Sequence, residues 1–148
     1  MTFKNEAQLK KFLMGKCVKA VENAEKKVHE EMAGNLNQFY TEFKPKEYIR
    51  TGALFDSLEV TGVKRAGNYI TAKVYFNPPH YDHGYIPLQS GGFGYSYWTD
   101  DYIFDVAMKG SHGGYESGTA IWNDSMLSLG GRLGIKSLLI QELKKQGL

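Results

Sequence analysis

The sequence predicts an α+β fold in which a long N-terminal helix and a C-terminal helix pack on a small antiparallel β-sheet, with a long aromatic- and glycine-rich loop or arm between the sheet and the closing helix. Three observations predict it. Apolar residues recur every three or four positions from Leu9 to Phe43. Apolar and polar residues alternate from Tyr69 to Phe76. The helical spacing then returns in the closing stretch IKSLLIQELKKQ. A chain of 148 residues fits one domain with one core. It divides into a helical region (1–44), a motif and β-hairpin (45–79), an extended loop or arm (80–118), and a closing strand end with C-terminal helices (119–148).

The first stripe runs through Leu9, Phe12, Leu13, Cys17, Ala20, Val21, Ala24, Val28, Met32, Phe39 and Phe43, one face of an amphipathic helix. From near Asn5 to near Thr41 such a helix is about 55 Å long, more than a compact domain of this size needs for its own core. Either the whole helix covers the core, or its far end packs on a neighbouring subunit. Gly15 and Gly34 weaken it locally, and Gly34 followed by Asn35 is the expected place for a break into two pieces.

Pro45 ends the helical region. Thr51 can cap a short helix whose Leu54, Phe55 and Leu58 face inward, with Gly52 allowing close backbone approach. Leu58, Val60 and Val63 then alternate with Glu59, Thr61 and Lys64, and Arg65-Ala66-Gly67-Asn68 reads as a turn. On the returning strand Ile70, Ala72, Val74 and Phe76 form one face and Tyr69, Thr71, Lys73 and Tyr75 the other. Asn77-Pro78-Pro79 stops the ladder, because proline has no N–H to donate.

The stretch from His80 to Gly118 holds seven glycines after Gln89 and the aromatics Tyr81, Tyr85, Phe93, Tyr95, Tyr97, Trp98, Tyr102, Phe104 and Tyr115. A loop this long in a compact domain is functional or disordered, and so many aromatics argue against plain disorder. Tyr81, Tyr85, Phe93, Tyr95, Tyr97, Trp98 and Tyr102 are the candidate subunit interface, since Tyr and Trp bring large contact area at low entropy cost. Two readings stay open: an arm laid across a neighbouring subunit, or a local hairpin with Tyr97 to Phe104 as one strand. Beyond it, Asn123 or Asp124 can cap a turn containing Met126, Leu127 and Leu129, and Gly130, Gly131 and Gly134 interrupt it. A short amphipathic helix follows, with lysines at its C-terminus where they complement the helix dipole.

Charge excludes more than it identifies. A net charge of +2, from 18 basic and 16 acidic residues, lacks the one-sided surplus of a dedicated nucleic-acid binder. Residues 51–120 carry four basic against seven acidic residues, against a single-strand groove that tracks phosphates. The lone Cys17 forms no internal disulfide, which fits a reducing compartment. The N-terminal MTFKNEAQLKKF has no signal-peptide apolar core and no apolar run reaches bilayer length, so neither export nor a membrane partner is expected.

No catalytic residue stands out. His80, Asp82, His83 and the later His112 are the strongest metal candidates, but the tight paired spacings and four ligands of a structural zinc site are missing. No metal and no cofactor are expected. Ser57, Ser111, Ser117 and Ser125 lack the Gly-x-Ser-x-Gly turn of a hydrolase nucleophile, and Gly91-Gly92-Phe93-Gly94 lacks the lysine and helix start of a phosphate loop. The alternatives to a structural role are a metal-dependent hydrolase, or a carbohydrate-binding module stacking sugars on the His80–Tyr115 loop.

The run YIRTGALFDSLEV, the hairpin after it and the later HGGYESGTAIWNDSM together resemble the tail-completion or neck proteins of long-tailed bacteriophages, which join head to tail. Arg50, Thr51, Gly52, Leu54 and Ser57 match the motif that opens the sheet in that family. Glu116, Gly118 and Thr119 match the acidic-x-Gly-Thr motif that closes it. The resemblance covers most of the chain through short motifs in the right order. It departs from the family at the arm, which is far longer than in many members. It implies a non-enzymatic virion protein, formed in the host cytoplasm and built into the neck as a ring-forming homo-oligomer. Its implied partners are further copies of itself, portal, adaptor or head-completion proteins on one side, and tail terminator or tube proteins on the other. DNA would pass through the lumen without specific binding, and mild negative charge there, as at Asp100, Asp101 and Asp105, would keep the genome from sticking.

Overall fold

The computed structural model describes residues 2–42, 53–77, 108, 111–112, 115–116 and 120–148, with 111–112 and 115–116 described through their backbone. The fold is α+β, as the sequence predicts. The elements are helices α1 (Glu6–Glu42), α2 (Ala53–Asp56), α3 (Ile121–Ser128) and α4 (Gly131–Lys145), and strands β1 (Leu58–Val60), β2 (Lys64–Ala66), β3 (Tyr69–Thr71), β4 (Val74–Phe76), β5 (Ser111–His112) and β6 (Tyr115–Glu116). They group into two compact units. The first comprises Met1–Glu31, Val60–Tyr75 and Met126–Leu148, and the second Met32–Glu59 and Phe76–Ser125.

Helix α1 is a single helix of 37 residues, about 55 Å long. Its start is closed by reciprocal bonds: Gln8 N–H donates to Asn5 Oδ1 at 2.9 Å and Lys4 N–H donates to Gln8 Oε1 at 3.0 Å. The break expected at Gly34-Asn35 is absent. Met32 and Leu36, on either side, are 2% and 0% exposed, and burial of both flanks outweighs a glycine's propensity cost of about 1 kcal/mol. On the exposed side of α1, Lys19 stands against Glu22 at 3.4 Å and Lys26 against Glu30 at 3.8 Å.

In the first unit, β2 and β3 form a tight antiparallel hairpin with Lys64 opposite Thr71, Arg65 opposite Ile70 and Ala66 opposite Tyr69. The turn is Gly67-Asn68, shorter than the four residues predicted, because Arg65 and Ala66 stay in the strand. Gly67 takes φ +60 while no non-glycine residue among the described ones has positive φ, the pattern of a type II′ turn. The predicted alternation holds: Ile70, Ala72, Val74 and Phe76 are half-buried, and Tyr69, Thr71, Lys73 and Tyr75 exposed. The ladder is nevertheless interrupted, with β1 and β4 pairing separately. At the interruption Thr61 Oγ1 accepts the Lys73 N–H at 3.0 Å, a side-chain hydroxyl standing where a backbone carbonyl would.

The core of the second unit gathers Leu36, Phe39, Leu54, Met108 and Ile121, with Tyr40, Leu58 and Phe76 packed against them. Leu58 covers this core from β1 rather than from the short helix predicted to hold it. Phe55, predicted inward, is 45% exposed, because a single helical turn gives its buried side to Leu54 and Ser57; the Phe55 ring stands edge-on to Tyr40 at 6.2 Å. Val60, expected on the buried face with Leu58, is 46% exposed.

Helix α3 begins earlier than predicted. Asp124 does not precede it as a cap; its Oδ2 reaches back to accept the Ala120 N–H at 2.9 Å from inside the first turns, which brings the fully buried Ile121 into the helix. Helix α4 also begins early, at Gly131 instead of Ile135. The chain turns between the helices at Gly130, φ +76, a left-handed conformation that a side chain disfavours. Gly134 lies inside α4, where a Cβ would run into the Leu129 carbonyl oxygen. Lys144 and Lys145 fill its last turn as predicted. The end of the region assigned to the arm forms a hairpin, with Ser111 opposite Glu116 and His112 opposite Tyr115.

Candidate functional site

Two of the candidate motif residues, Leu54 and Ser57, are described with their side chains. Leu54 and Ser57 are 5% and 2% exposed. Ser57 Oγ donates to the Leu54 carbonyl at 2.7 Å, closing α2 on itself, and the Ser57 carbonyl accepts the Asn77 N–H at 2.7 Å. One residue thus ends the helical turn and ties the start of β1 to the chain leaving β4. Asn77 Nδ2 adds a bond to Glu59 Oε1 at 3.1 Å. A hydroxyl spent in this way on a buried carbonyl is held in place rather than poised as a nucleophile.

The remaining predicted residues divide in two. Glu116 lies on β6 opposite Ser111, and His112 on β5. Arg50, Thr51, Gly52, Gly118 and Thr119, the aromatics Tyr81, Tyr85, Phe93, Tyr95, Tyr97, Trp98 and Tyr102, and His80, Asp82 and His83 lie outside the described residues. Among the described residues no group of three or more His, Cys, Asp or Glu side chains is placed to hold a metal ion. No helix among them is long and apolar enough to cross a membrane.

A polar cluster in the first unit went unpredicted. Glu142 on α4 is 2% exposed and its carboxylate accepts three bonds: from Lys27 Nζ at 2.7 Å, Lys145 Nζ at 2.7 Å and Asn23 Nδ2 at 3.2 Å. Lys145, then Lys27, hold its carboxyl at about 2 against an ordinary 4.5, and Lys27 is raised from 10.5, chiefly by Glu142. A second tie is Lys16 Nζ donating to the Gln146 carbonyl, with the same ammonium 4.8 Å above the Phe12 ring. These bonds fasten the C-terminal turn of α4 to α1. The signal was present in the spacing: Ile135, Leu138, Leu139 and Glu142 follow one helical stripe, which places the carboxylate on the inner face. In the second unit a smaller chain does similar work, with Asn35 Nδ2 donating to Ser125 Oγ at 3.0 Å and Ser125 Oγ donating to the Ile121 carbonyl at 2.5 Å.

Opposite Glu142, α4 turns an apolar and basic stripe outward. Leu133, Lys136, Ser137, Ile140 and Lys144 follow helical spacing and all are exposed, Leu133 to 77%. Leu127, across the Gly130 turn, is also 77% exposed. Comparison with protein families, curated proteins and solved structures finds no match to this chain.

Proposed function

We propose that this chain is a structural subunit of the head-to-tail junction of a tailed bacteriophage, assembling with copies of itself into a ring between portal, adaptor or head-completion proteins and the tail terminator or tube. The reading is non-enzymatic, takes no cofactor or metal, and lets DNA pass the lumen without specific contacts. Its place is the virion neck after assembly in the host cytoplasm.

The observation that carries an assembly role is the pair Leu127 and Leu133, each 77% exposed on either side of the Gly130 turn. Large aliphatic side chains left this exposed on the two sides of one turn fit a surface that a protein partner covers. The resemblance of the run holding Leu54 and Ser57 to neck proteins supports the same reading, and those two residues build the turn between α2 and β1. The test is genetic. A phage whose copy of this gene carries an early stop codon should yield filled heads and complete tails that do not join, with joining restored when the protein is supplied. Normal joined particles without the protein would contradict the proposal.

A further inference from the structure

The near-even charge of the whole chain conceals an uneven distribution. The first compact unit carries 14 basic and six acidic residues, and the second four basic and ten acidic. Within the first unit α1 and α4 neutralise part of their charge, Lys19 and Lys26 with Glu22 and Glu30, and Lys27 and Lys145 with Glu142. The β2–β3 hairpin and the strand end after it do not. Lys64, Arg65 and Lys73 take part in no ion pair among the described residues, and the run 60–81 that holds them is the longest in the chain without an acidic residue. Three of the four basic residues between 51 and 120 lie in this run, and none of the seven acidic ones does.

The register places the polar groups together. Residues directly opposite in an antiparallel pair share a face, so Lys64 lies beside Thr71 and Ala66 beside Tyr69 on one side of the ribbon. Lys73 continues that side two residues beyond Thr71, about 7 Å further along. Arg65 stands on the other side. Every residue from Lys64 to Tyr69 is exposed, Tyr69 to 76%, and a Cβ at Gly67 would meet nothing within 4 Å. The end of the ribbon is therefore open on both faces. Exposed cations also stand on α1 at Lys10 and Lys11 and on α4 at Lys136, but there Leu9, Leu13, Leu133 and Ile140 are exposed among them. The hairpin instead mixes its cations with Asn68, Tyr69 and Thr71, which donate hydrogen bonds.

Ammonium, guanidinium, hydroxyl and amide groups are the donors that proteins direct at phosphate oxygens. A two-stranded ribbon is also narrow enough to enter the major groove of B-form DNA. A lipid surface would call for a large aliphatic side chain at the tip, and Lys64 to Tyr69 includes none. We infer that the β2–β3 hairpin, through Lys64, Arg65, Tyr69, Thr71 and Lys73, is a contact surface for the phosphate backbone of double-stranded DNA. Such contacts hold a duplex without reading its sequence. The inference goes beyond the neck reading and stands whether or not the chain joins heads to tails.

The test uses a fluorescently labelled duplex of mixed sequence, with binding to the full chain read by anisotropy across a salt series. Three proteins are compared: the unchanged chain, the hairpin variant K64Q/R65Q/K73Q, and K10Q/K11Q/K136Q, which removes the same charge from the same unit elsewhere. Circular dichroism checks that each is folded. The unchanged chain should bind at about 50 mM salt and weaken steeply as salt rises, because phosphate contacts release counterions. The hairpin variant should bind at least roughly tenfold more weakly at that salt, with the slope of log affinity against log salt reduced by about 2 to 3. The second variant should keep most of both. An unchanged chain that leaves the duplex free at low salt would overturn the inference. Equal losses in the two variants would assign binding to the overall charge of the unit and overturn it as well. Binding to anionic phosphatidylserine vesicles in place of DNA, lost in K64Q/R65Q/K73Q, would make the hairpin a lipid contact and reject the DNA assignment.

Discussion

Lys27 and Glu142, far apart in sequence, meet at 2.7 Å on a carboxylate that is 2% exposed. Lys145 reaches the same oxygen at 2.7 Å and Asn23 bonds the other at 3.2 Å. The lysines are 42% and 59% exposed and stay hydrated without it, so replacing the buried carboxylate by alanine loses its three bonds and leaves a void, whereas an apolar replacement of similar size fills the space and removes the desolvation cost. Glu142→Ala should therefore lower the thermal midpoint by several degrees, and Glu142→Met should lower it less. Thermal unfolding followed by circular dichroism checks the order. If alanine is no worse than methionine, the carboxylate is not the tie that fastens α4.

The same carboxylate sets an acid limit. Its carboxyl titrates at about 2 in the folded chain and near 4.5 when unperturbed, so its stabilisation is complete above pH 4.5 and is lost as pH falls toward 2. Lys27 works at the other end: raised from 10.5, it stabilises fully below that value and loses its contribution as pH climbs through the raised one. Urea midpoints taken between pH 5 and pH 2 should fall more steeply for the unchanged chain than for Glu142→Gln. Parallel curves would mean that Glu142 ionises no differently in the folded and unfolded chains.

Gly134→Ala separates helix propensity from packing. Alanine is the better helix former by about 1 kcal/mol, yet a Cβ at this position meets the Leu129 carbonyl oxygen, and backbone does not yield as a flexible side chain would. The substitution should destabilise by about 1–3 kcal/mol in denaturant unfolding, the ordinary cost of overpacking. A neutral or stabilising result would show that the α3–α4 turn opens without cost.

The motif turn predicts a graded pair. Leu54→Ala removes a side chain that is 5% exposed from the core with Leu36, Phe39, Met108 and Ile121, and should cost about 3 kcal/mol. Ser57→Ala removes the hydroxyl bonded to the Leu54 carbonyl and should cost about 1 kcal/mol. Equilibrium unfolding ranks them; Ser57→Ala as costly as Leu54→Ala would give the serine a larger part than closing the turn.

What the sequence made legible followed from periodicity. Three-and-four spacing from Leu9 onward marked α1, and alternation from Tyr69 to Phe76 marked which face of the hairpin is covered. Local exceptions were harder, because tertiary contacts decide them. Gly34 did not break α1, since Met32 and Leu36 bury on both sides of it. Phe55 turned outward because α2 has one turn and two other residues to bury. Asp124 caps backwards, a geometry that residue type alone does not specify. Glu142 is a charged residue on an apolar stripe, and its acceptance there depends on Asn23 and Lys27 from a distant helix. Leu54 and Ser57 were singled out in the sequence without a bonding role, and the turn between α2 and β1 supplies one: Leu54 enters the core and Ser57 bonds its carbonyl.

The central claim, a ring subunit of the phage neck, is tested most directly by the mass of the purified protein in solution, alone and then mixed with the neck and tail-tube proteins encoded in the same genome. The account predicts a ring-sized complex that contains several copies of this chain and forms on mixing with those partners. A chain whose mass is unchanged by every one of them would contradict it.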